Sequence, residues 1–306
     1  MARRSYRLRD GEAVRKGIMR IARGRIDHAV DELQGRSGSS SEEAVHEARK
    51  DMKKLRALVR LMRDEIGDDV YRRENAYFRD AGRELSGLRD ADVMLATLEE
   101  LGRGYPEEVG DEVSGPLRQA LEAHKIRTSA GARGQASEQV VEMLTTARKR
   151  VGRWPLQHDG FEAVGRGLER VYRRGRRALR AARTEPTTEN LHEWRKRVKD
   201  LWYHLTILRD TWRPVMDALG DEAHRASELM GQEHDLAVLL EWAEQRAPDS
   251  AAAIAGPVTR RRAELRAEAF ALGARLYADK PGAFKRRLER WWDAAAESAE
   301  RAATGG

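Results

Sequence analysis

His46, Arg49, Lys50 and Lys53 stand at the spacing of one helix face, and the same four residue types recur as His192, Arg195, Lys196 and Lys199. Such a row is ligand chemistry for phosphate oxygens. A guanidinium donates two parallel hydrogen bonds and an ammonium acts as a point charge. Arg56 extends the first row, whereas the second has Trp202 at that place and Thr206 in answer to Arg60, so the two rows are not identical. A helix rises about 1.5 Å per residue, so a cation every third or fourth position gives one charge per about 5 Å. A condensed phosphate chain is denser in charge than that, and two or more helices must face one groove to match it.

The same residues argue against other chemistries. His46-Glu47-Ala48-Arg49-Lys50 and His192-Glu193-Trp194-Arg195-Lys196 carry lysine where a His-Glu-x-x-His zinc site needs its second histidine. There are no cysteines, which removes thiolate nucleophiles, zinc-cysteine sites and iron-sulfur clusters. Glu47 and Glu193 are the paired candidates for acid-base work, and both sit one turn from a lysine or arginine that makes a better ion-pair partner. No glycine-rich phosphate loop ending in Gly-Lys-Ser/Thr occurs. We expect a binding protein rather than an enzyme, with no metal and no cofactor.

The 58 Lys+Arg against 51 Asp+Glu leave a net charge of +7, and the isoelectric point is near 9.7. That balance favours an anionic partner. Acids interleave with the rows at Glu47, Asp51, Asp64, Glu193, Asp200 and Asp210, so a salt-bridged solvated face is the bland alternative. Against it stands the repetition of the pattern. The stretch from Gly160 to Arg183 adds Arg166, Arg170, Arg173, Arg174, Arg176, Arg177, Arg180 and Arg183 against only Glu162 and Glu169. No apolar h-region opens the chain and no run of eighteen apolar residues occurs, so we expect a soluble, cytoplasmic protein with no membrane partner.

The elements that hold these rows are helices. Apolar residues recur at three and four positions without sustained alternation, and prolines number only eight in 306 residues, so the class is all-α. A first helix is expected over 12–33, with Val14, Ile18, Ile21, Ile26, Ala29 and Leu33 on one face. A second starts with Ser41 as N-cap and runs to Ile66, where Gly67 ends it. Its apolar stripe is Val45, Ala48, Met52, Leu55, Val59 and Met62, directly beside the cations. Further helices are expected over 69–88 and 90–102, with loops around 104–116 and 131–137.

Three blocks recur in order. Glu12-Ala-Val-Arg-Lys-Gly-Ile returns as Glu162-Ala-Val-Gly-Arg-Gly-Leu. Val45-His-Glu-Ala-Arg-Lys returns as Leu191-His-Glu-Trp-Arg-Lys. Leu88-Arg-Asp-Ala-Asp-Val-Met-Leu answers to Glu233-His-Asp-Leu-Ala-Val-Leu-Leu. The expected organisation is an internal duplication, one helical bundle repeat over 1–157 and a second over 158–306, each with enough helices to close a core.

These histidine-bearing blocks, with Leu88-Arg-Asp-Ala-Asp-Val and His234-Asp-Leu, make the chain resemble the CHAD family, the histidine-containing α-helical domain, from about Tyr6 to about Ala295. The resemblance implies two four-helix bundles related by a pseudo-twofold axis around a basic central groove or pore. It also implies binding of inorganic polyphosphate, association with polyphosphate granules, and no catalytic activity. Carried over by position, the contacts come from His46, Arg49, Lys50, Lys53 and Arg56, and from His192, Arg195, Lys196 and Lys199. Arg20, Arg23, Arg170 and Arg173 form a second tier, and Arg79 and Arg89 are additional cations. Sulfate or phosphate can occupy the same groove.

Two other partners compete. A nucleic-acid backbone would bind a basic groove with steep salt dependence, and a plain helical scaffold would bind proteins on its outer faces. Trp154, Trp194, Trp202, Trp212, Trp242, Trp291 and Trp292 fall mostly at core spacings and read as packing rather than as a base-stacking platform.

Overall fold

A computed structural model describes residues 5–85, 90–129 and 133–304, and every regular element among them is helical. The first six helices are α1 (Val14–Leu33), α2 (Ser41–Leu61), α3 (Arg63–Glu84), α4 (Asp90–Gly104), α5 (Asp111–Ser129) and α6 (Arg133–Val151). Then follow α7 (Glu162–Thr184), α8 (Thr188–Ile207), a 3-10 turn over Arg209–Thr211, α9 (Arg213–Arg246), α10 (Pro248–Leu276) and α11 (Pro281–Thr304).

Local chemistry explains the boundaries that matter. Ser40, one residue earlier than expected, caps α2: its hydroxyl accepts from the Glu43 amide while the Glu43 carboxylate accepts from the Ser40 amide. α2 stops at Leu61 rather than Ile66, and α3 begins directly after Met62 with a kink at Gly67, whose φ of +77° suits a residue without Cβ. Thr187 caps α8 by accepting from the Asn190 amide. Two expected loops are shorter than their turn residues suggest. α5 starts at Asp111 and carries Pro116 inside it, and α6 starts at Arg133.

Two apolar cores hold these helices. The larger takes Ile18, Ile21 and Ile26 from α1, Leu55 and Leu58 from α2, Phe78 from α3, Leu144 from α6, Leu168 and Tyr172 from α7, Trp194 and Leu201 from α8 and Leu288 from α11. The smaller packs Met94, Leu98 and Leu101 of α4 and Leu117 and Leu121 of α5 against Leu236 and Leu239 of α9 and Ile254 and Val258 of α10. Both cores draw side chains from either side of residue 157. Burying each Leu or Ile is worth about 1.5–3 kcal/mol, so these contacts fix how the helices are set.

The crossing of α2 with α7 and α8 decides where the two cation rows lie. A Cβ placed on Gly167 of α7 would stand 1.8 Å from the Leu61 carbonyl oxygen, so the missing side chain is what admits this approach. Arg170 then donates to the Arg60 carbonyl at 2.8 Å and pairs with Asp64. From α8, the buried His204 meets the Ala57 carbonyl through Nε2 at 2.9 Å. Among the described residues, no helix is long and apolar enough to cross a membrane.

Candidate anion-binding site

Lys199 on α8 is half-buried and makes no hydrogen bond or ion pair among the described residues. Burial first, then the charge of Arg195, pushes its ammonium down to about 8; Lys50 of α2 adds to the shift, and Glu228 and Asp235 oppose it. Cations from both rows therefore act on one another across the α2–α8 crossing. Arg195 itself lies over Gly231 of α9, donates through Nε to the Ser227 carbonyl at 3.2 Å, and is held below its ordinary range by burial. The His192 ring stands 5.3 Å from that of His234, and burial together with Lys196, His234 and Arg195 keeps it short of its ordinary basicity.

One to two turns further along α2 lies a second group. Arg56 donates to Asn75 of α3 at 3.3 Å and is pushed down to about 10 by burial, then by Arg60, with Arg79 adding to it and Asp200 opposing. Arginine remains charged at such a value, so the shift marks a charge held partly out of water, with the repulsion of Arg60 second to that burial. Arg60 donates to Asp200 of α8 at 2.8 Å, and Arg197 reaches the other oxygen of Asp200 at 3.1 Å. Arg174 of α7, exposed and without a hydrogen bond or ion pair among the described residues, is held below its ordinary range by burial of part of its side chain, then by Arg197 and Arg60. One carboxylate, Asp200, thus stands among Arg60, Arg174 and Arg197.

The expected site residues divide accordingly. Lys50, His192, Arg195 and Lys199 are brought together, as are Arg56 and Arg79. His46 and Arg49 are half-buried on α2 and Lys53 is exposed there. Lys196 and Lys50 bond Glu193 and Glu47 three residues back, and Arg79 bonds Asp80. Arg20 is engaged elsewhere: it makes two hydrogen bonds to Glu12 and two more to the carbonyls of Ser5 and Arg7. Arg170 is the brace to α2, Arg173 pairs with Glu169, and Arg23 lies over Gly152 at the end of α6. Arg89 lies outside the described residues.

Sequence reasoning passed over Arg60, Arg174, Arg197 and Asp200 as site residues. One signal was available: aligned block on block, Asp51 and Lys54 correspond to Arg197 and Asp200, the same i,i+3 pair with its signs exchanged. In the structure Asp51 accepts from Arg25 at 3.2 Å and His28 at 2.6 Å, whereas Arg197 pairs with Asp200, which Arg60 also reaches. Among the described residues no group of three or more His, Asp or Glu could hold a metal ion.

A fold that is all-helical among the described residues, with cations from α2, α3, α7 and α8 acting on one another near the crossing of α2 with α7 and α8, defines the class of the molecule. The model of the CHAD domain matches residues 20–244, and the chain belongs to the CHAD family. The crystal structure of the CHAD domain from the plant Ricinus communis is similar over 92% of this chain and 93% of its own, with a TM-score of 0.60 at 17% sequence identity. That likeness speaks for the fold. No curated protein matches the chain.

Proposed function

We propose that the protein binds inorganic polyphosphate along the crossing of α2 and α8, without turning it over, and that it does so in the cytoplasm on polyphosphate granules. The single observation that carries this reading is Lys199: a half-buried ammonium without an ion pair among the described residues, depressed first by burial, then by Arg195 and by Lys50 from the other row, with Glu228 and Asp235 opposing. Like charges brought together and partly desolvated raise the energy of the free protein, and an anion threaded between them lowers it. A bare phosphate chain supplies several charges to several donors at once. His46, Arg49, Lys50, Lys53, Arg56, His192, Arg195, Lys196 and Lys199 are the contacts in this reading, with Arg60, Arg79, Arg174 and Arg197 extending the path. Arg20 and Arg170 brace the helices instead. The reading treats 1–157 and 158–306 as duplicated repeats whose α2 and α8 meet about a pseudo-twofold axis to form a lopsided basic groove.

Calorimetric titration with long-chain polyphosphate, orthophosphate and single-stranded DNA, at two salt concentrations, tests it. Polyphosphate should bind tightest, weaken steeply with salt, and be lost in a variant carrying Lys50→Glu, Lys53→Glu, Lys196→Glu and Lys199→Glu. Equal or tighter binding of the DNA, or polyphosphate binding indifferent to the four substitutions, would overturn the ligand or the site.

A further inference from the structure

Trp212, between the 3-10 turn and α9, is 48% exposed, against the expectation that the tryptophans pack inward. Its ring meets that of Trp291 on α11 edge-on at 5.0 Å, and the guanidinium of Arg287 lies 5.3 Å from the centre of the Trp291 ring. Beside this pair a cavity of about 460 Å³ is lined by Asp279, Ala283, Arg286, Arg287, Arg290 and Trp291. Arg287 occupies Asp279, the one acid of the lining, at 2.9 Å. Arg286 and Arg290 stand one turn apart, exposed, with no hydrogen bond or ion pair among the described residues. Two cations at i,i+4 repel unless something bridges them.

We propose that this surface is a second ligand site, one that takes a nucleoside polyphosphate with its base against Trp212 and its phosphates on Arg286 and Arg290. The cavity volume falls in the range of small-molecule sites, about 300–1,000 Å³. Guanidinium pairs grip phosphate oxygens by bidentate hydrogen bonds. A base has an aromatic face to lay on Trp212, whereas an inorganic phosphate chain would satisfy the arginines and leave the indole in water. Single-stranded nucleic acid wants successive stacking platforms along a basic groove, and among the described residues Trp212 is the one Trp, Tyr or Phe that is more than a third exposed. One base and one short phosphate tail fit what is present.

The full chain is titrated with ATP, with sodium triphosphate, which has the charge without the base, and with adenosine, which has the base without the charge. ATP should bind about 10-fold or more tighter than triphosphate, within the range that stacking one base on an aromatic side chain gives. Trp212→Leu should bring ATP to the level of triphosphate while leaving triphosphate unchanged; Trp212→Tyr should restore part of the difference. Arg286→Ser with Arg290→Ser should weaken both ligands. All three residues are exposed, so native circular dichroism of each variant separates a lost contact from a lost fold. The variant with the four lysines reversed on α2 and α8 should keep its ATP affinity, which separates this site from the polyphosphate reading. Triphosphate binding as tightly as ATP, a Trp212→Leu protein that still prefers ATP, or loss of ATP in the lysine variant would overturn the proposal.

Discussion

With its ammonium depressed to about 8, Lys199 is half-titrated near pH 8, and this couples proton and ligand there. Burial is the main cause and Arg195 the next, so an anion arriving beside the amine reverses part of what lowered it. Binding at pH 8 should then take up a fraction of a proton, up to roughly one half from this group. Calorimetry in two buffers of different ionisation enthalpy reads that uptake, and Lys199→Met should remove its share while His192 and the other groups keep theirs. Identical buffer dependence in wild type and Lys199→Met would sink the idea. Affinity should fall as pH rises through about 8. Stability of the free protein runs the other way: the folded value lies below the ordinary 10.5, the unfolded chain holds more protons between the two, and stability rises with pH across that window. At this scale the residue types of the site were legible, because His, Arg and Lys repeat at helical spacing. Which of them face one another was not, since Lys50 meets Lys199, and Arg60 meets Asp200, only through the crossing of distant helices.

Among the helices, the contact of α7 with the end of α2 rests on Gly167. Adding a methyl there would put carbon 1.8 Å from a backbone oxygen, and neither helix can yield by rotating a side chain. Gly167→Ala should destabilise by about 1–3 kcal/mol or more, the range of overpacking. It should also weaken polyphosphate binding, because Arg170 reaches the Arg60 carbonyl and Asp64 only at this separation. Gly220→Ala in α9, where the nearest atom is 4.0 Å away on Trp202, should instead be neutral or stabilising by up to about 1 kcal/mol through helix propensity. Urea denaturation of the two variants decides the matter, and equal stability would mean that the close approach is not held as described. The sequence placed α1 and α2 well because their apolar stripes are long and regular. It missed the start of α5, where Gly110 and Pro116 signal a turn yet Leu117 and Leu121 gain burial against α9 and α10. It also ran α2 to Ile66: the break at Met62 lies where α7 docks, and tertiary packing leaves no mark on local periodicity.

For the molecule as a whole, the two cores bind together what the repeated blocks divide. Met94, Leu98, Leu101, Leu117 and Leu121 belong to the stretch before residue 157, but α9 and α10, which complete their core, come after it. The link is reinforced at the surface, where Arg260 of α10 reaches Glu108, and near the N-terminus, where the Leu8 amide donates to the Ile207 carbonyl at 2.9 Å. Those five side chains alone represent about 10 kcal/mol of apolar burial at about 2 kcal/mol each, comparable with the whole stability of a typical domain. A chain of residues 1–157 should therefore lack a cooperative transition in urea, and so should 158–306, although each contains a complete copy of the cation row. Produced together, the two pieces should associate one to one, recover a sigmoidal unfolding curve and bind polyphosphate. If either piece alone unfolds in one sharp step with the urea dependence expected for its size, the repeats are independent domains and the interlocked cores contribute little. The polyphosphate reading makes the same demand from the ligand's side, because the depression of Lys199 by Lys50 exists only when both pieces are in place. A half-chain that folded alone would present one row of cations to water, at about 5 Å spacing, and should hold polyphosphate only weakly at physiological salt.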